Sequence, residues 1–220
     1  MLLTVDDVGT AELHLARHGE LGSWPLETTE IALAGPAGFE PNGVAIARID
    51  DDARGDVLLL DVDATLAFMR AEADGAHAPA IQVQLDVVPS AVLAFDLHDD
   101  GLDDLLVVSR SESALQLVRN EGDDELVAEL PVIAVDEAPL EAVAGRFDDD
   151  DTVDLAVITG ATAGVLLAAG DGTGTFTPGV TLALPSPAVR LLAGDLNGDG
   201  APDLVAATFE NGSVSILLAD

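Results

Sequence analysis

Four acidic loops recur along this chain at a nearly constant interval, and each lies between two short apolar runs. The loops end at Asp56, Asp104, Asp154 and Asp203, which are 48 to 50 residues apart. Apolar runs that are rich in Val, Leu and Ala and bounded by Asp and Gly are typical of buried β-strands, because helices need longer periodic stretches. A fixed period of this length predicts an array of equivalent β-structured units.

Two more predicted strands complete each unit. A third strand is expected at 66–70, 115–119, 164–168 and 214–218, and a fourth at 81–87, 129–135 and 180–184. Glycine and aspartate in the turn at 170–176 can supply the positive φ that a tight hairpin needs. Antiparallel four-stranded units of about 40–50 residues, stacked around an axis, make a β-propeller.

The sequence thus predicts an all-β fold, a single β-propeller domain over residues 1–220. It has about five four-stranded antiparallel blades with a period of about 48 residues. The expected units are about 1–43, 44–91, 92–141, 142–190 and 191–220. The first unit lacks a first strand and an acidic loop, and the last lacks a fourth strand, so both terminal blades are expected to be incomplete. A linear β-solenoid is the alternative architecture, although its coils are usually shorter than this repeat.

The charge of the chain limits its partners. Of the 220 residues, 41 are acidic and 8 are basic, which gives a formal net charge of −33. Such a surface repels nucleic acids and anionic membranes, so neither is expected as a partner.

No apolar run approaches the roughly 18 residues of a membrane-spanning helix, and the first residues lack the features of a signal peptide. The absence of cysteine excludes disulfides and thiol chemistry.

The loop at 195–203 has the pattern of a calcium-binding loop. Its first, third, fifth and ninth residues are Asp195, Asn197, Asp199 and Asp203, and the Ala201 carbonyl is a candidate fifth ligand. Ca²⁺ takes six to eight oxygen ligands, which such a staggered loop can wrap around one point. Gly200 can adopt the positive φ of the turn. The alternative is an Asx-rich turn that satisfies its own backbone without metal.

The other three loops carry the same pattern with substitutions. The candidate ligands are Asp96, His98, Asp100, the Leu102 carbonyl and Asp104 in one loop, Asp50, Asp52 and Asp56 in another, and Asp148, Asp150 and Asp154 in the third. His98 offers a nitrogen where Ca²⁺ prefers oxygen. Arg48 and Arg146 occupy the first ligand position of their loops. Each guanidinium either folds over the carboxylates of its own loop and partly replaces the metal, or points to solvent and leaves Ca²⁺ with fewer ligands.

These motifs resemble the FG-GAP/VCBS repeat family, the calcium-loop β-propellers typified by the integrin α-subunit head. The resembling stretches are DLNGDGAPDLV from Asp195, DLHDDGLDDLL from Asp96 and GDGTGTF from Gly170. The resemblance implies that each acidic loop joins the first two strands of a blade and holds Ca²⁺. It also implies an extracellular or periplasmic location and a role in adhesion or carbohydrate binding, or as part of a secreted enzyme.

No catalytic motif of the HExxH, GxSxG or phosphate-loop type is present. The predicted function is therefore a non-enzymatic calcium-binding propeller that binds a protein or carbohydrate ligand through loops at one face. The low aromatic content of 3% weakens the lectin-like version, for which Trp24 is the one candidate tryptophan. Two alternatives remain: an accessory or catalytic domain of a secreted polysaccharide-active enzyme, and a structural fragment that forms a homo-oligomer through its incomplete terminal blades.

Overall fold

The computed structural model describes residues 41–74, 76–129, 133–135, 137–208 and 212–219, together with the backbone of 2–5, 11–17 and 27–32. Trp24 lies outside these residues. All regular elements in this part of the chain are β-strands, and it contains no helix long and apolar enough to cross a membrane. The strands are β1 (Leu2–Val5), β2 (Ala11–Arg17), β3 (Glu27–Ala32), β4 (Pro41–Ala47), β5 (Asp56–Asp61), β6 (Thr65–Met69), β7 (Ile81–Gln84), β8 (Ala91–Phe95), β9 (Asp104–Ser109), β10 (Ala114–Asn120), β11 (Leu126–Ala128), β12 (Ile133–Ala134), β13 (Pro139–Gly145), β14 (Asp154–Thr159), β15 (Gly164–Gly170), β16 (Phe176–Ala183), β17 (Ala188–Gly194), β18 (Asp203–Thr208) and β19 (Val214–Leu217).

The strands form five antiparallel sheets in which neighbours in sequence are neighbours in space. The sheets are β1-β2-β3, β4-β5-β6-β7, β8-β9-β10-β11 with β12 also on β10, β13-β14-β15-β16, and β17-β18-β19. The four sheets from β4 to β19 pack side by side as blades of a β-propeller, which confirms the predicted fold class. Within the described residues the first and last sheets have three strands each, as expected for incomplete terminal units.

The second strand of a blade has a continuous apolar sequence without alternation, and burial explains this pattern. Every residue of β5, β9 and β14 is buried, and β9 and β14 each lie between two neighbouring sheets. On β9, Leu105 and Val107 pack against the β4–β7 sheet, whereas Leu106 and Val108 pack against the β13–β16 sheet. A strand covered on both faces reads as a continuous apolar run. The core is thus a series of layers between blades.

The same topology places the four acidic loops equivalently. They connect β4 to β5, β8 to β9, β13 to β14 and β17 to β18, the first two strands of each blade. Adjacent loops come into contact, since the N–H of Asp103 donates to the Arg48 carbonyl at 2.8 Å. The side chain of Asn120, at the end of β10, also donates to the Ile49 carbonyl at 3.1 Å.

Candidate metal site in the blade loops

A buried aspartate closes each acidic loop from its ninth position. The exposed fractions of these four residues are 0–3%, and both carboxylate oxygens of each accept a backbone N–H. The donors are Ile49 and Ala71 for Asp56, Leu97 and Asn120 for Asp104, Phe147 and Gly170 for Asp154, and Leu196 and Ala219 for Asp203, at 2.8–3.3 Å. One donor follows the first strand, and the other lies at or just after the end of the third strand. The ninth carboxylate therefore ties the loop to the third strand through protein contacts alone.

Burial affects the charge state of two of these aspartates. It raises the pKa of Asp56 and of Asp104 above the ordinary range, because a carboxylate is poorly solvated there. The backbone N–H bonds from Ala71 and Asn120 oppose this shift in their respective loops. A cation bound beside either group would favour its ionised form.

Three carboxylates converge in the loop between β13 and β14. One oxygen from each of Asp148, Asp150 and Asp154 lies within 4.8 Å of the others, and no other such group of three acidic, histidine or cysteine side chains occurs among the described residues. Oxygens bound to Ca²⁺ at about 2.3–2.6 Å lie at most about 5 Å apart, so this spacing fits one central ion. The hydroxyl of Thr152 donates to Asp150 and lowers the pKa of that carboxyl. The cluster can hold a metal ion.

The loop with the most complete sequence pattern has a different arrangement. Gly200 has a φ of +95°, as expected. The Asp195 carboxylate accepts the N–H groups of Gly198 and Gly200 at 2.6 and 3.0 Å, and Asn197 donates to Asp199 at 2.6 Å. The N–H of Ala201 also donates to Asp199, at 2.8 Å. This loop satisfies its own backbone, and the described carboxylates do not converge on one point, so Ca²⁺ binding here stays a prediction.

The loop between β8 and β9 is similar. Asp96 accepts the N–H groups of Asp100 and Gly101 at 3.1 and 2.9 Å, and Leu102 donates its N–H to Asp100 at 2.9 Å. His98 Nδ1 lies 3.1 Å from an oxygen of Asp104, within its own loop. The imidazole thus contacts a predicted ligand, and calcium binding at this loop also stays a prediction.

The arginines at the first loop position reach a neighbouring blade. Arg48 donates from Nη2 to Asp103 at 2.9 Å and from its backbone N–H to the other oxygen of Asp103 at 2.8 Å. Arg146 Nη2 donates to Asp99 at 2.6 Å, and its Nε donates to the Asp151 carbonyl in its own loop. The hypothesis that each guanidinium folds over the carboxylates of its own loop is therefore wrong for this structure. Across the blade boundary, the backbone N–H and the guanidinium of Arg48 together bind both carboxylate oxygens of Asp103.

One carboxylate of the loop between β4 and β5 pairs with a different arginine. Arg54, at the seventh position, pairs with Asp52. Asp50 and Asp52 line an acidic cavity of about 470 Å³ together with Asp123 and Asp124 of the next blade. Asp123 and Asp124 have φ values of +51° and +67°. The sequence shows that these two residues belong to a Gly-Asp-Asp turn. It does not show that the turn lies opposite a loop of the preceding blade, because that position depends on how the sheets pack.

A separate cavity of about 320 Å³ lies between β10 and the turn that joins β15 to β16. Its lining includes the apolar Leu117 and Phe176 and the polar Arg119, Glu129 and Thr173. Arg119 Nη2 pairs with Glu129 at 2.8 Å, whereas its Nε is buried and has no hydrogen-bond partner among the described residues. This cavity combines apolar side chains with hydrogen-bonding groups.

Residues 146–206 contain an FG-GAP-like repeat, as a match to that family shows. No curated protein sequence matches the chain.

Among solved structures, the chain is similar to an Agrocybe aegerita lectin that recognises non-reducing terminal N-acetylglucosamine, with a TM-score of 0.63, 18% identity and coverage of 100% of this chain and 66% of the lectin. It is also similar to BBS1N in complex with ARL6DN (TM-score 0.65, 16% identity, coverage 97% and 62%). A third similar structure is a functionally unknown protein from Desulfotomaculum acetoxidans (TM-score 0.54, 14% identity, coverage 99% and 75%). The chain spans less than two thirds of the length of the first two, and at these identities the likeness shows the fold.

Proposed function

We propose that this chain is a non-enzymatic β-propeller module whose blade loops bind Ca²⁺ and whose surface binds a carbohydrate. The convergence of Asp148, Asp150 and Asp154 on a space of the right size for one Ca²⁺ carries the proposal. The FG-GAP-like repeat at 146–206 includes this cluster and supports it. Backbone carbonyls and water complete the six to eight ligands that Ca²⁺ takes.

The structural role of Ca²⁺ follows from where its ligands lie. Asp148 and Asp150 are exposed on the loop, whereas Asp154 begins β14 and is buried. An ion held by all three joins the exposed carboxylates of the loop to the sheet and offsets their mutual repulsion. Because the ion binds the folded state, it stabilises that state by about 2.7 kcal/mol at a hundredfold excess over Kd.

Calcium titration of the chelator-treated protein tests this proposal. Saturating Ca²⁺ should raise the Tm by roughly 5–11 °C for a domain of this size, and equal Mg²⁺ should raise it less. The Asp148→Ala variant should lose much of this shift and at least one binding event in isothermal titration calorimetry. Asp149→Ala is the matched control, because Asp149 is an exposed neighbour outside the cluster. A Tm that does not respond to Ca²⁺ would contradict the proposal.

The cavity between β10 and the β15–β16 turn supports a carbohydrate as the ligand. Sugars present apolar faces together with hydroxyl groups, which suits the apolar Leu117 and Phe176 and the polar Arg119 and Thr173 that line the cavity. The similar Agrocybe aegerita structure is that of a lectin for terminal N-acetylglucosamine. A neutral sugar is favoured, since the net charge of −33 repels polyanionic glycans.

Titration with N-acetylglucosamine and neutral oligosaccharides tests the carbohydrate half of the proposal. Arg119→Gln should weaken binding, whereas Arg110→Gln, a change at an exposed arginine away from the cavity, should not. Absence of binding to any neutral glycan would contradict this half and favour a protein ligand, without affecting the calcium half. Release of unsaturated or reducing sugar from a polysaccharide would instead favour the enzyme alternative.

The proposed location is extracellular or periplasmic. Loops with few carboxylate ligands bind Ca²⁺ weakly, in the range of about 10⁻⁴–10⁻³ M that is typical of extracellular modules. A measured Kd in this range supports export, and a Kd below about 10⁻⁷ M, as in cytosolic buffers, would count against it.

A further inference from the structure

The acidic loop between β8 and β9 receives an arginine from the acidic loop on each side of it. Nη2 of Arg48, in the β4–β5 loop, lies 2.9 Å from Asp103 and 3.8 Å from Asp96, which occupies the first ligand position of the β8–β9 loop. Nη2 of Arg146, in the β13–β14 loop, donates to Asp99 at 2.6 Å. The two arginines that stand at first ligand positions therefore both direct their guanidinium groups to the same intervening loop.

The contact between Arg48 and Asp103 is more than an exposed ion pair. The backbone N–H of Asp103 donates to the Arg48 carbonyl at 2.8 Å, the backbone N–H of Arg48 donates to one oxygen of Asp103 at 2.8 Å, and the guanidinium donates to the other at 2.9 Å. The Asp103 side chain is only 14% exposed. A single exposed ion pair contributes little to stability, but here backbone hydrogen bonds on both sides fix the guanidinium beside the loop.

The eighth loop position explains why the two arginines point in opposite directions along the chain. The residues at this position are, in chain order, Gly55, Asp103, Val153 and Pro202. Arg48 thus meets a carboxylate and a backbone N–H in the loop that follows it. In the loop that follows Arg146, Pro202 has neither group, and a Cβ on Gly145 would lie 3.2 Å from the Cγ of Pro202. Arg146 instead pairs with Asp99 in the preceding loop.

The two inner loops differ both in their neighbours and in their carboxylates. The loops that flank the β13–β14 loop begin with aspartates, Asp96 and Asp195, and three of its own carboxylates converge within 4.8 Å. The loops that flank the β8–β9 loop begin with arginines, and no such group forms among its residues, all of which the structure describes. Its Asp96 instead accepts the N–H groups of Asp100 and Gly101. The loop reached by guanidinium groups is thus the one whose carboxylates do not fit a single Ca²⁺.

We propose that Arg48, with Arg146 on the other side, provides the counter-charge of the β8–β9 loop in place of Ca²⁺, and that a guanidinium from a neighbouring loop decides which loops take the ion. A positive charge 3.8 Å from Asp96 opposes a divalent cation at the first ligand position. A guanidinium pairs well with carboxylates, so the three blades stay joined without metal. The calcium part of this inference rests on the proposed function, whereas the pairing part does not.

Double-mutant cycles in EDTA test the pairing. Arg48→Gln and Asp103→Asn should each lower the Tm by about 2–4 °C, and the double variant should lose clearly less than the sum, because one pair can be broken only once. Arg146→Gln with Asp99→Asn should show a smaller coupling, since the Asp99 side chain is 72% exposed. Arg110→Gln, at an exposed arginine in the turn between β9 and β10, is the matched control and should leave the Tm close to that of the wild type. Additive losses in the first cycle overturn the proposal.

Calcium titration calorimetry in the Asp148→Ala background tests the choice of loop. This background removes a ligand of the β13–β14 cluster and leaves the β8–β9 loop intact. Adding Arg48→Gln should create a binding event or lower the Kd for Ca²⁺ at least about fivefold, because it removes a unit charge about 4 Å from a ligand. Adding Asp96→Asn as well should abolish this gain, whereas Arg110→Gln should give none.

Two results would overturn the choice of loop: an isotherm that Arg48→Gln leaves unchanged, and a gain that survives Asp96→Asn. Failure of the proposed function is distinguishable from both. It is read from the wild type with its β13–β14 cluster intact, which would then bind no Ca²⁺. The present proposal is read from the change that Arg48→Gln produces and from the coupling measured without metal.

Discussion

Removal of the buried Asp154 carboxylate should destabilise the protein even in the absence of metal. Its two oxygens accept the N–H groups of Phe147 and Gly170, each at 2.9 Å. Asp154→Ala leaves both partly buried donors without an acceptor, and each such loss is worth about 1–3 kcal/mol. The expected loss of unfolding free energy is therefore about 2–6 kcal/mol, a large part of the total for a typical domain.

The measurement is urea unfolding in EDTA, with thermal melts as a second probe. For a chain of this size, each kcal/mol should lower the Tm by about 2–4 °C. Asp148→Ala is the control, because Asp148 is exposed and accepts the N–H of Asp150 within the loop, at 3.0 Å. A surface change of this kind should stay within about 0.5 kcal/mol of the wild type.

The comparison between the two variants decides the role of the ninth carboxylate. If Asp154→Ala is as stable as Asp148→Ala in EDTA, the hydrogen bonds to Phe147 and Gly170 do not hold the blade together and the reasoning is refuted. If Asp154→Ala is destabilised only when Ca²⁺ is present, the carboxylate acts through the metal alone. Asp154→Asn, which keeps one acceptor oxygen, should fall between the alanine variant and the wild type.

Two further predictions concern the surroundings of this loop. Gly170→Ala should destabilise the protein by at least about 1–3 kcal/mol in urea unfolding, because its Cβ would lie 2.0 Å from the Val153 carbonyl oxygen, whereas Gly194→Ala should be neutral since no atom lies within 4 Å of its Cβ. Equal stability of the two variants would contradict the packing described here. Thr152→Val removes the hydroxyl bond that lowers the pKa of Asp150, so that pKa should rise in a ¹³C NMR titration of the metal-free protein, and Thr152→Ser should restore it. A lowered carboxyl pKa gives stability that is present at neutral pH and lost as the pH falls through the folded-state value, so the valine variant should lack much of this contribution and depend less on pH in the acidic range.

The repeat predicted the strands well because their sequence signal is local. Third strands expected at 115–119 and 214–218 occur as β10 (Ala114–Asn120) and β19 (Val214–Leu217). The predicted strand at 129–135 was less accurate, since β11 (Leu126–Ala128) and β12 (Ile133–Ala134) occur there instead. Pairing of both short strands with β10 depends on the partner strand rather than on their own residues.

The site was harder to predict than the fold. The spacing of aspartates located all four loops but ranked the 195–203 loop as the most complete, whereas the carboxylates converge at Asp148, Asp150 and Asp154. Whether the carboxylates of a loop converge depends on which backbone N–H groups donate hydrogen bonds to each of them. The spacing of aspartates in the sequence does not determine these hydrogen bonds. The reach of Arg48 to Asp103 in the next blade depends on how two sheets pack, which the repeat period does not encode either.

The aspartate at the ninth position of each loop has a different role from the residues before it, as its hydrogen bonds show. The buried residue at the loop's end maintains the connection between strands, and the exposed residues before it are free to change. Within this one chain the first loop position is Asp96 or Asp195 in two blades and Arg48 or Arg146 in the other two, yet the sheets are equivalent. The first position of each loop can therefore change between a carboxylate and a guanidinium by substitution without rebuilding the blade, while the four loops share one framework.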